Sequence, residues 1–451
     1  MRGCHRIAWA VLCSQIFVCK FWLGVSSDQM MKILASEPKQ HGDNEDQHDS
    51  SRLQPHLSLS DTSSSDDVPE KGAAGMDHST TNRCFDVDMS LFGKGVECGA
   101  PLSEPCFDFA RCSDGYSGIY VYDASCSLAN SSALLGSQEM EQDQWTLKFD
   151  HANIGGTLRN EANDAGLLAH TYESACLFVS ATSSAPGLTS CAVEQPYWNG
   201  GSNHLMVDLS DKGRDRRPLV ANSYAMEAAS NMHTCFYRVG YDISIPLAPK
   251  HVFPTLADIS PLGRKFFLTT KGSVYLSLHG VEERMSLVPI HDEENGVIMS
   301  LACFEKHGEH LLPENAELCG ALKGRYDDYG YRDLMNTTFG LVPAGRSPGT
   351  YRLGEVMSAG SIPVFVGRDV VSPFSDKFDW ASFSFAFSPD QVGTDMVRAL
   401  RAVPPAELKE MQRKSLEAYR EIFGTDAKNF RPIAKLIIDT LRKRIGHRME
   451  R

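Results

Sequence analysis

Along most of the chain the spacing of apolar positions switches repeatedly between two and about three and a half residues, the mark of alternating strands and helices. "GIYVYDA" (118–124), "ACLFVSA" (175–181), "HLMVDL" (204–209) and "YDISIPLA" (241–248) are short runs of β-branched, aromatic and aliphatic residues, and read as strands. Stretches near 158–173 and at "NSYAMEAASNM" (222–232) carry good helix formers and read as helices between them. The alternation then restarts. Strands are predicted at "GRKFFLTTKG" (263–272), "GVIMSLACF" (296–304), "FGLVPAG" (339–345), "SIPVFVG" (361–367) and "FSFAFS" (383–388). "YRDLMNTT" reads as a short helix and "YRLGEVMSAG" as a second one. "PPAELKEMQRKSLEAYREIF" (404–423) is the clearest helix, with proline early and apolar Leu408, Met411, Leu416, Tyr419 and Phe423 near one face. A last helix over about 431–445 ends in a basic run, read as a solvated face. Strands alternating with helices predict parallel sheets with crossover helices. The chain therefore reads as an α/β protein of two successive halves that divide near 250–262. Two Rossmann-like domains facing a cleft is the architecture such halves make.

Composition changes this picture at the N-terminus. Residues 28–80 hold 11 acidic and 4 basic side chains, are rich in serine and contain no Phe, Trp or Tyr. Such a segment buries too little apolar surface to offset its ordering entropy, and reads as a disordered acidic stem. Before it, Arg2 and Arg6 precede an apolar run from Ile7 to Cys19, which resumes after Lys20. The length lies between a signal peptide and a membrane span. The reading adopted is an uncleaved signal anchor with a cytosolic N-terminus, and a cleaved signal peptide is the alternative. The expected organisation is an anchor over 1–27, the stem over 28–80, a Cys-rich entry with the first Rossmann-like domain over 81–255, and the second domain over 256–451.

The cysteines agree with a secretory route. Three of the 13 lie in the N-terminal segment and ten beyond it, an even number that suggests disulfides in an oxidising compartment. Cys106 and Cys112 are close enough in sequence to close a small loop. No zinc-type spacing of Cys and His occurs. Asn130 and Asn336 begin N-glycosylation sequons. The net charge of −13 argues against a general nucleic-acid binder but leaves room for a local basic pocket.

Such a pocket is expected around "FGLVPAGRSPGTYRLGEV" (339–356), where a strand runs into a Pro/Gly loop and then a helix. Ligands of open α/β sheets sit at the carboxyl ends of strands, and helix starts there favour anions. Arg346 and Arg352 add permanent charge, and Glu355 can accept ribose hydroxyls or orient an arginine. Neither the P-loop nor the GxGxxG fingerprint is present. The site reads as one for an anionic ligand.

The stretch "RSPGTYRLGEVMSAGSIPVFVGRDVVSPFSDKFDWASFSF" (346–385) resembles the exostosin domain of glycosyltransferase family 47. Arg346, Arg352, Glu355, Ile362-Pro363-Val364, Pro373-Phe374 and Asp379-Trp380 match its landmarks. "CFDFARC" with "IYVYD", "WNGGSNHLMVDL", "YDISIPL" and "RKFFLTTKG" resemble further family stretches in the right order, from about 104 to 425. The chain departs from the pattern at Ser202, Gly340 and Val342. The resemblance implies the GT-B arrangement of two domains and inverting transfer of a sugar from a nucleotide-sugar donor, usually UDP-linked, to a glycan acceptor. It also implies a lumenal Golgi enzyme with a type II membrane anchor, no cofactor, no metal and no nucleic-acid partner. Lys271, Arg346, Arg352 and Glu355 would face the donor. His204, or failing it Asp242, would deprotonate the acceptor. The alternatives are a non-catalytic exostosin-like subunit, paired with an active glycosyltransferase, and a secreted form. Assembly with itself or with another glycosyltransferase is compatible with either reading.

Overall fold

The computed structural model describes residues 95, 97–99, 102–103, 105–112, 118–122, 154–182, 190–209, 219–230, 232–274, 280–303, 313–345, 348–425 and 429–449. The expected anchor and stem, with Asn130 and Arg346, lie outside the described residues. Residues 74–312 and 322–451 group as one compact unit that holds both sheets. The grouping sets 313–321, the first part of a helix over Pro313–Asp327, apart from it.

The first sheet contains β1 (Gly118–Val121), β2 (Ala175–Thr182), β3 (His204–Asp208), β4 (Met226–Ala229) and β5 (Ile243–Ser244), all parallel and in sequential order. Every residue of β3 and β4 is buried, as expected of parallel strands covered on both faces. α1 (Ile154–Asp164) crosses between β1 and β2. β4 corrects the helix expected over 222–232. Its Met-Glu-Ala-Ala sequence favours helix, but a position buried on both sides overrides propensity. The Glu227 N–H is taken by the Asp242 carboxylate at 2.9 Å, and the Glu227 carboxylate accepts the Leu219 N–H.

The second sheet contains β6 (Phe266–Val274), β7 (Val297–Cys303), β8 (Thr337–Pro343), β9 (Ile362–Val366) and β10 (Phe385–Phe387) in the order β10-β9-β8-β6-β7, again all parallel. From β6 the chain steps out to β7, then returns to the other side of β6 as β8. In chain order the remaining helices are α2 (Ser190–Val193), between β2 and β3, then α3 (Val281–Met285), α4 (Pro313–Asp327), α5 (Arg352–Ser358), α6 (Thr394–Arg401), α7 (Pro405–Phe423) and α8 (Arg431–Met449). The buried stripe of α7 runs through Leu408, Met411, Ser415, Ala418 and Ile422, with Phe423 also buried. Small residues occupy it where the sequence suggested Leu416 and Tyr419, which are half-buried. α8 returns to the first half and packs against α1, where Arg431 pairs with Glu161 at 2.6 Å and Asp164 at 2.8 Å.

Disulfides are present, with a different pairing from the small loop expected. Cys106 bonds Cys98, and Cys112 bonds Cys176 at the start of β2. Cys235, Cys303 and Cys319 are disulfide-bonded as well.

Candidate active site

In an open parallel sheet the ligand crevice opens where the strand order reverses, beyond the carboxyl ends of the two strands concerned. The first sheet has no reversal. In the second it falls between β6 and β8. The described part of the loop after β8 and the start of α5 lie at that point, so residues 339–345 and 348–356 of the stretch singled out in the sequence occupy the switch point. Packing there is tight: a side chain on Gly340 of β8 would meet Val356 of α5 at 2.6 Å.

Arg352 is buried beneath the switch point. It is 6% exposed, and its guanidinium donates to carbonyls of both strands: from Nε to Leu341 O at 2.7 Å, and from the two terminal nitrogens to Lys271 O at 3.5 Å and Thr269 O at 3.4 Å. One of those nitrogens also lies 3.5 Å from the Tyr331 hydroxyl, and the guanidinium sits 5.8 Å from the centre of that ring. Glu355, one turn along α5, is 3% exposed. One of its oxygens accepts the His251 N–H at 3.3 Å and the other accepts the Tyr331 hydroxyl. Burial, and then the neighbouring Glu355 charge, hold the Tyr331 phenol well above its usual range, so it remains a donor. Arg352 and Glu355 thus meet around Tyr331, and both are engaged by protein groups.

Lys271, near the end of β6, donates to the carbonyls of Tyr326 and Tyr329 (2.7 Å to the latter), with its ammonium 3.5 Å from the centre of the Tyr326 ring. Burial lowers its pKa, partly offset by Asp327. Arg284 of α3 ties together the two strand exits at the switch point. It donates to Ala344 O at 3.2 Å and to Ser273 O, joining the exits of β8 and β6. The turn before α3 touches the loop after β8, where a side chain on Gly280 would fall 2.3 Å from Gly345 O. Gly280 has φ +85°, so glycine is needed there on both counts. Tyr331, Arg284 and His251 were not singled out in the sequence. They come from segments 21, 68 and 101 residues before Arg352, and only folding brings them there.

His204 and Asp242 stand elsewhere, which corrects their expected role. His204 opens β3, at the amino end of the first sheet, and is fully buried. Its Nδ1 donates to Ser202 O at 2.9 Å, so Nε2 accepts the Tyr122 hydroxyl at 2.9 Å, and its ring stacks on Phe178. Burial pulls its pKa down to about 4. The preceding turn is a structural knot: Asn199, Gly200, Gly201 and Asn203 all have positive φ. The Asn203 amide donates to Asp108 O and Cys176 O and accepts the Asp108 N–H. Asp242 is 2% exposed and accepts from the Arg238 guanidinium at 2.7 and 2.8 Å, besides the Glu227 and Arg238 N–H groups. Neither group is free to take a proton from a substrate. Asn336 ends a short helical turn, with its side-chain oxygen accepting the Lys265 N–H at 3.3 Å.

Among the described residues, His233, Cys235 and Asp369 bring metal-ligand atoms within 4.8 Å of one another. Cys235 is disulfide-bonded and offers no thiolate, and His233 Nε2 bonds Asp369 at 3.1 Å.

Two all-parallel sheets, with the loop after β8 and α5 at the switch point of the second, define an α/β protein of the open-sheet type. A family profile described as the Exostosin GT47 domain matches residues 116–403, and the chain belongs to this family of exostosin-type glycosyltransferases. It is similar to Exostosin-1 of Drosophila melanogaster, 27% identical over 405 residues that cover 84% of this chain and 50% of that one. Exostosin-1b of Danio rerio is 28% identical over 333 residues, covering 67% and 40%. The chain spans about half the length, or less, of these curated relatives. A solved glycosyltransferase from Rickettsia africae aligns with a TM-score of 0.34 and 9% identity, covering 68% of this chain and 84% of that one, too distant a likeness to carry an argument.

Proposed function

We propose that this chain is an inverting glycosyltransferase that moves a sugar from a nucleotide-sugar donor, first of all a UDP-sugar, to a glycan acceptor. The observation that carries this reading is the family match over 116–403, whose loop and helix after β8 lie at the switch point of the second sheet. In this reading the two sheets face a cleft in the GT-B manner, with the donor on the second half and the acceptor on the first. The loop carrying Arg346 takes the diphosphate and its charge stabilises the leaving nucleotide as negative charge grows on it, while the ammonium of Lys271 is held by the Tyr326 and Tyr329 carbonyls. Arg352 and Glu355 act from beneath, fixing the loop and the surrounding backbone. No cofactor or metal is required, because basic side chains supply the countercharge.

The proposed setting is the Golgi lumen, with residues 1–27 as a type II anchor. The disulfides favour an oxidising compartment. Among the described residues no helix is long and apolar enough to cross a membrane, and the proposed anchor is not among them. The test is to express the full chain in a secretory host and incubate it with a panel of nucleotide sugars and glycan acceptors. Release of nucleoside diphosphate matched by sugar transfer supports the reading. A folded protein that turns over no donor refutes it and favours the non-catalytic subunit.

A further inference from the structure

The helix α3 is five residues long, Val-Glu-Glu-Arg-Met, and none of them is buried. So short a helix has little stability of its own, and without a buried stripe it takes little from the core. Its polar side chains go instead to the carboxyl ends of the second sheet. Arg284 donates to Ser273 O at the end of β6 and, from Nε, to Ala344 O just beyond β8 at 3.2 Å. Glu282 accepts at 2.8 Å from Arg368, which follows β9, and Arg368 also donates to Asp390, which follows β10, at 2.5 Å. Four strand exits are thus joined through one short helix. The Arg368 pairs are open to solvent and contribute little, so the grip on the sheet rests on Arg284.

Two glycines leave room for its guanidinium. A side chain on Gly272 of β6 would meet one terminal nitrogen at 3.2 Å, and a side chain on Gly345 would meet the other at 3.0 Å. Ala344 is held on both sides, its N–H by Val366 O of β9 at 2.9 Å and its carbonyl by Arg284. The residue after Gly345 in the chain is Arg346.

We infer that Arg284 is a positioning residue of the donor site: it holds Ala344 and Gly345, so that the loop taking the diphosphate starts from a fixed backbone. This rests on the glycosyltransferase reading above and deepens it. Arg284 acts through the loop and not by touching the donor. An arginine suits the task because its planar fork reaches two carbonyls at once, where an ammonium is a single point. With the guanidinium in place the donor meets a start of the loop that is already ordered. Without it, binding must order those residues, which weakens affinity about tenfold or more.

The test uses the full chain carrying Arg284→Ala, alone and combined with Arg346→Ala. Arg284→Lys, which keeps a donor on a stem of similar length, is measured beside it and takes its place if the alanine variant does not fold. Measured are UDP affinity by calorimetry, kcat, and KM for donor and acceptor. Expected for Arg284→Ala are UDP affinity about tenfold weaker, donor KM raised by a similar factor, and acceptor KM within about threefold of wild type. Arg284→Lys should fall between wild type and alanine. In the Arg346→Ala background the loss of Arg284 should weaken UDP binding by less than about threefold, because both changes act on one loop. Several results overturn the assignment alone: UDP affinity within threefold of wild type, a loss of equal size in both backgrounds, which marks a direct donor contact, or a fall in kcat with both KM values unchanged, which marks a merely structural role. A wild type that binds no UDP and turns over no nucleotide sugar overturns the functional reading and this one with it.

Discussion

Replacing Arg352 with alanine separates two roles that sequence treats as one. If Arg352 contacts the donor, the variant loses nucleotide affinity and keeps its stability. If it braces the strands beneath the switch point, the variant loses stability. The short bond from Nε to Leu341 O at 2.7 Å is charge-assisted and contributes about 1.5–3 kcal/mol. The bonds at 3.4 and 3.5 Å are long and contribute roughly 0.5 kcal/mol each. The buried aliphatic stem adds about 2 kcal/mol, and removing a desolvated charge returns part of the total. The net loss is about 3–5 kcal/mol, a fall in Tm of roughly 6–15 °C for a structural unit of this size. Thermal and urea unfolding of the full chain, in the presence and absence of UDP, provide the assay. A variant whose Tm stays within about 2 °C of wild type while its UDP affinity drops at least about tenfold refutes the reasoning, and returns Arg352 to the donor.

Stability should also fall in mild acid because of His204. Its folded pKa of about 4 is below the ordinary value of 6.5, so between those values the unfolded state binds more protons and stability drops as pH falls. The expected loss is about 2 kcal/mol by pH 5, and His204→Gln should flatten that part of the curve; an unchanged slope in the variant contradicts the assignment. The Cys112–Cys176 bond closes a 64-residue separation. In the chain-entropy estimate it contributes about 4 kcal/mol, so the double Cys→Ser variant should unfold at markedly lower temperature, and an equal Tm would show the link to be dispensable. Donor turnover should survive excess EDTA, and loss of turnover restored by a divalent ion would show that a metal takes part.

Most strands were legible because a parallel strand covered on both faces is a nearly continuous apolar run, as in β2, β3 and β9. β4 was not, because Met226, Glu227, Ala228 and Ala229 carry helix propensity and only the sheet on either side makes them extended. The loop and helix after β8 were placed correctly from Pro343, Gly345 and the arginines. The roles of the side chains were less legible. Arg352 and Glu355 read as ligand groups because sequence shows charge, whereas burial and carbonyl partners appear only in three dimensions. His204 read as a base because it is ionisable, yet the left-handed turn at Asn199–Asn203 places it at the amino end of the sheet. His251 gave no signal, since its meeting with Glu355 joins positions 104 residues apart.

The most direct measurement is calorimetric titration of the full chain with UDP, for wild type and for Arg346→Ala. The account predicts saturable binding that weakens at least about tenfold in the variant, with Tm in the absence of nucleotide changed by no more than about 2 °C. Undiminished UDP binding in Arg346→Ala, or none in the wild type, would contradict a donor site at the loop after β8.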